Sequence, residues 1–130
     1  MRAIPPPYYD KSKRDNIRFI AVGKYQVELY EKKSRPYFCI YYPAHDYSLG
    51  LNIDLSTALV STVSDSRFYL IDGSNRFEML FTETRKGIRL SFYKYLWGRF
   101  RWKSYTGIVT AAGADLIKES LASCRQGLAA

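Results

Sequence analysis

Residues 85–105 read RKGIRLSFYKYLWGRFRWKSY and hold seven basic side chains and no acidic one. Cations neutralise phosphates, and flat rings stack on bases. This segment interleaves the two. In Arg99-Phe100-Arg101-Trp102-Lys103 the types alternate strictly, so a strand here puts Arg99, Arg101 and Lys103 on one face. The phase at Ser104-Tyr105 leans Tyr105 toward that face as well. One strand earlier, Arg89 and Tyr93 share a face, while Ile88, Leu90 and Phe92 point to a core. Tyr37, Cys39 and Tyr41 repeat the arrangement, outward of Phe38 and Ile40. A sheet face of cations and rings suits an unpaired strand, whose bases each stack for roughly 1–3 kcal/mol whatever their identity. A duplex reader more often presents a helix or ribbon to the groove. The best helical stretch, 111–124, sets Lys118 and nearby Arg125 against Asp115 and Glu119 and is nearly neutral.

Other chemistries find no support in the residues. There is no nucleophile elbow, no phosphate-cradling glycine loop and no metal-spaced cluster. His45, the single histidine, adjoins Asp46 in sequence, a poor geometry for an acid–base dyad. Cys39 and Cys124 are far apart and in no motif, as expected of packing residues in a reducing compartment. No catalytic residue, metal or cofactor is expected.

The elements that must position these residues come twice. KYQVELYEKKSRPYFCIYYP (24–43) lies over RFEMLFTETRKGIRLSFYKY (76–95) at an offset of 52 residues without a gap. Val27 meets Met79, Phe38 meets Leu90 and Ile40 meets Phe92, so the apolar phase is kept. Tyr25, Val27 and Leu29 alternate with polar neighbours at the period of a half-buried strand, as do Phe77, Met79 and Phe81. Gly23, Lys32–Arg35, Asp72–Asn75 and Thr84–Gly87 supply turns. Upstream, Arg18-Phe19-Ile20 resembles Arg67-Phe68-Tyr69. Downstream, NIDLSTALVSTVS (52–64) resembles GIVTAAGADLIKES (107–120). Ser56 and Thr110 are suited to cap helices, and Leu116, Ile117, Leu121 and Cys124 make an apolar stripe on the second. Each unit therefore reads as four strands and a helix. The expectation is an α+β domain over 16–126, with repeats 16–66 and 67–126 whose antiparallel sheets pack on two helices.

The whole chain of 130 residues is 47% hydrophobic and 16% aromatic, enough for one domain with a core. Its net charge is +8. Residues 1–65 carry +2 and residues 66–130 carry +6, so the excess sits with the basic segment. No apolar run reaches the ~18 residues of a membrane span. Residues 1–15, Pro-rich and charged, are expected to form a flexible tail. An intracellular setting is expected, with a mitochondrion or plastid open.

Two units of four strands and a helix resemble the Whirly single-stranded-DNA-binding proteins, within a superfamily that includes Pur-type and kinetoplastid mitochondrial RNA-binding proteins. SDSRFYLIDGS (64–74) resembles the Whirly passage between halves. WKSYTGIVTAAGADLIKESLASC (102–124) resembles its last strand and helix. VGKYQVELY (22–30) is similar to its lysine-glycine-lysine motif at Gly23 and Lys24, with Val22 in place of the first lysine. The resemblance implies a homotetramer with Leu116, Ile117 and Leu121 as core and oligomer contacts. It implies DNA or RNA strands running along the sheets. The residues offered to such a strand are Lys24, Arg35, Tyr37, Tyr41, Arg85, Lys86, Arg89, Tyr93, Arg99, Arg101 and Lys103. Single-stranded DNA with little sequence preference is favoured. An RNA-annealing chaperone, or a non-catalytic subunit facing an acidic protein, are the alternatives.

Overall fold

The computed structural model describes residues 14–44, 51–96, 100–122 and 124–126. Four strands form a first antiparallel sheet in sequential order: β1 (Asp15–Val22), β2 (Tyr25–Lys32), β3 (Arg35–Tyr41) and β4 (Leu51–Asp54). A second sheet runs β5 (Leu59–Ser64), β6 (Arg67–Asp72), β7 (Asn75–Thr84), β8 (Gly87–Leu96) and β9 (Phe100–Val109), also antiparallel. Helix α1 (Ala111–Ala122) follows, and β10 (Arg125–Gln126) adds a short parallel edge beside β5.

The period of two explains most of these strands, and turn chemistry ends them. Lys33 and Ser34 both have positive φ, 52° and 64°, in the two-residue loop between β2 and β3. Arg85 and Lys86 close the β7–β8 loop 52 residues later, and the ladders match: Val27 pairs with Ile40 as Met79 pairs with Phe92. The upstream likeness does not share this phase, because Phe19 is 53% exposed and Phe68 is buried.

The expected two-helix α+β packing is overturned: the described chain is mostly β, with one helix at its C-terminal end. Ser56 caps nothing. Its N–H and hydroxyl both donate to Asp54 Oδ1, at 2.9 and 2.6 Å, and fold residues 55–58 into a turn. Residues 59–64 then become β5, as Val60, Thr62 and Val63 favour. Thr110 does cap α1, its Oγ1 accepting the Gly113 N–H at 3.0 Å. Ile117 and Leu121 are fully buried beneath α1, and Leu116 packs against the same cluster. These three, expected also to touch a second copy, serve the chain's own core. No described helix is long and apolar enough to cross a membrane.

One core joins the sheets. Phe38 of the first sheet stacks on Phe92 of the second with centroids 5.5 Å apart, and Phe77 also stacks on Phe92 at 5.5 Å. Tyr25 meets Tyr105 edge-on at 4.9 Å. The β1–β2 turn reaches β9, where the Gly23 N–H donates to the Ile108 carbonyl at 3.0 Å. Gly107 permits this approach, since a Cβ there would lie 2.6 Å from the Gly23 nitrogen. Gly113 does the same for the helix, where a Cβ would lie 2.8 Å from Ile20 Cγ2.

The outer side of the first sheet is covered as well. Arg14 lies over the Tyr30 ring at 3.9 Å and pairs with Glu28 at 3.1 Å, both side chains without exposure. Tyr30, Cys39 and Tyr41 form a second buried cluster, with Tyr37 stacked on Tyr30 at 5.2 Å. Burial pushes the Tyr30 hydroxyl up to about 12. It pushes the Cys39 thiol up to about 12, with Glu28 adding to the shift. Tyr105, in the central core, is likewise raised to about 12 by burial.

Two outcomes follow from this packing. Gly107→Ala should lower stability by about 2 kcal/mol through backbone overpacking, read as a drop in thermal midpoint against a Thr106→Ala control. All three raised groups are held neutral by the fold, while the unfolded chain ionises near its ordinary values of 9 for the thiol and 10 for the tyrosines. The unfolded state therefore binds fewer protons above pH 9. The thermal midpoint should hold to about pH 9 and fall from there to pH 12. Tyr105→Phe should flatten that fall, and an identical slope in the variant would contradict the assignment.

Candidate nucleic-acid interface

The alternation that buries Phe77, Met79, Leu90 and Phe92 turns their neighbours outward on the second sheet. Cross-strand register arranges those neighbours in rows. One row runs Ile71, Arg76, Tyr95 and Arg101 across β6 to β9. The next runs Ser61, Tyr69, Glu78, Tyr93 and Ser104 from β5 to β9. A third holds Arg67, Leu80, Ser91 and Thr106, and a fourth Thr82, Arg89 and Ile108. Arg67, Arg76 and Arg89 are exposed, and Tyr69, Tyr93 and Tyr95 are half-buried. Three cations and three phenol rings thus share one open face, with the backbone of Arg101 placed at its end.

One carboxylate sits at the centre of that face. Glu78 is 2% exposed. Arg67 Nε donates to it at 2.8 Å, and the Tyr95 hydroxyl donates to its other oxygen. The same contact raises the Arg67 guanidinium above its ordinary value. Arg67 also reaches the Tyr69 hydroxyl and lies 5.2 Å from that ring's centroid. Glu78 is therefore neutralised by a side chain of the face itself, and it orients one cation and two rings.

Arg89 and Tyr93 stand on this face as their phase requires. Arg101 and Lys103 do not keep the two-residue phase in the β8–β9 ladder. A bulge at position 102 shifts the register, so Lys103 pairs with Lys94 while Arg101 pairs with the next residue, Tyr95. Arg99 lies outside the described residues, as do His45, Asp46 and the first thirteen residues of the tail. Tyr105 turns into the core rather than toward the cations, at 4% exposure.

Arg85 and Lys86 are exposed in the β7–β8 turn. Lys24 is exposed in the β1–β2 turn, next to the Gly23 that bonds to β9. The first-sheet candidates lie elsewhere. Tyr41 is 3% exposed and its hydroxyl accepts from Gln26, which takes it off the surface. Tyr37 is stacked on Tyr30, and Arg35 pairs with Asp54 at 3.4 Å. Sequence reading passed over Arg67, Tyr69, Arg76 and Tyr95. The alternation of Arg67-Phe68-Tyr69-Leu70 carried a signal, but which face it joined depended on the pairing of β6 with β7.

Among the described residues no group of three or more His, Cys, Asp or Glu side chains could hold a metal ion. No protein-family model, curated protein or solved structure matches the chain.

Proposed function

We propose that this protein is a non-catalytic binder of single-stranded nucleic acid, DNA in preference to RNA, and that the strand lies on the outer face of β6–β9. The observation that carries the reading is the set of rows placing Tyr69, Tyr93 and Tyr95 beside Arg67, Arg76 and Arg89. Phosphates would meet the guanidinium groups and bases the phenol rings, with little demand on base identity. An antiparallel sheet offers no helix for a groove, and α1 is occupied beneath the sheet. Kinship with the Whirly superfamily belongs to the same proposal and rests on the repeated hairpin rather than on a second helix. Assembly into an oligomer would need a surface other than Ile117 and Leu121, which are fully buried within one chain.

Titration of a labelled single strand against its duplex tests the reading. The single strand should bind at least about tenfold more tightly, and affinity should fall as salt rises. Tyr93→Ala should weaken binding about 5- to 100-fold, the range of one lost stacking contact. Arg35→Gln, on the other sheet, should change it by less than about twofold. Equal affinity for duplex, or an unaffected Tyr93→Ala, would remove the proposal.

A further inference from the structure

At one end of this face the surface is concave. Thr84, Arg85, Lys86, Arg89, Gly107 and Ile108 line a hollow of about 390 Å³. Arg85 and Lys86 enter from the β7–β8 turn, and Arg89 comes from the fourth row of the sheet face. The far wall is β9, where Gly107 lacks a side chain and Ile108 holds the Gly23 N–H. No carboxylate lines it. Asp65 and Glu83 belong to a separate hollow that includes Lys118.

Three lining cations exceed what one phosphodiester, with its single charge, would balance. A phosphomonoester carries about 1.5 to 2 negative charges at pH 7, with a second ionisation at about pH 6, and offers three strong acceptor oxygens. Arginine forks suit such a group better than a lone diester oxygen does. The hollow also lies where a strand crossing the rows would run off the face.

We propose that the Arg85–Lys86–Arg89 hollow is a phosphomonoester site that receives the phosphorylated end of a single strand. The strand-end assignment rests on the sheet-face reading above; phosphomonoester binding by the hollow does not. Chemistry of this kind is also found in free mononucleotides and in phosphorylated lipid headgroups. Contiguity with Arg89 and the rows favours the strand end.

The test compares two otherwise identical ~12-nucleotide single strands, one with a 5′-phosphate and one with a 5′-hydroxyl. A second pair differs only at the 3′ end. One phosphorylated end should bind at least about fivefold more tightly at pH 7.5, and the gap should shrink at pH 5.5 as the phosphate takes up a proton. Arg85→Gln with Lys86→Gln should close the gap, weakening the phosphate-ended strand far more than the hydroxyl-ended one. Both residues are exposed in a turn, so the fold should persist. Backbone amide NMR with adenosine 5′-monophosphate separates the two readings. Shifts confined to residues 84–89 and 107–108 support the hollow even if oligonucleotides fail to bind, which would sink the sheet-face reading alone. No shift with the mononucleotide and no gap between the strands overturns the hollow. Binding to vesicles containing phosphatidylinositol 4-phosphate, with no gap between the strands, overturns the strand-end assignment.

Discussion

The stack of Phe38, Phe92 and Phe77 holds both sheets at once. Its rings come from β3, β8 and β7, and each fixes the inward phase of its strand. Because side chains alternate, an inward Phe92 leaves Tyr93 outward and an inward Phe77 leaves Glu78 outward. A one-residue slip would bury the arginines and expose the rings of the core. The open face of the second sheet is therefore a by-product of hydrophobic burial on its other side. Close backbone approach at Gly23 and Gly107 lets the two sheets share that core.

Each sheet also carries a buried carboxylate on its outward side, and the two are treated differently. Glu28 pairs with Arg14 beneath the same cover that shields Tyr30 and Cys39. Glu78 pairs with Arg67, whose side chain is 45% exposed. Removing a charge from water without a partner is expensive, so both need their arginine. The first sheet is sealed by its pair. In the second, the pair leaves Tyr69, Tyr93 and the remaining guanidinium groups at the surface. The two hairpins match in sequence and ladder, yet only the second presents an open face.

The basic segment illustrates how one residue redirects a pattern. Strict alternation from Arg99 to Lys103 describes a flat strand. The bulge at position 102 adds a residue to β9, and Arg101 and Lys103 fall opposite neighbouring positions of β8. Arg101 joins the row of Arg76 and Tyr95, and Lys103 does not.

Period-two alternation and turn residues, both local, were legible from residue types alone. They established the β2–β3 and β7–β8 hairpins, the Gly23 and Gly73 turns, the Thr110 cap, and the shared face of Arg89 and Tyr93. Whether residues 59–64 became helix or strand was not legible, because Ser56 could serve either a cap or a turn and Asp54 decided it. The burial of Tyr41 and the union of Arg67 and Arg76 with Tyr93 belonged to tertiary structure. Each depends on what another segment covers or pairs with. Local spacing says which side chains share a side of a strand; only packing between distant segments says which side meets water.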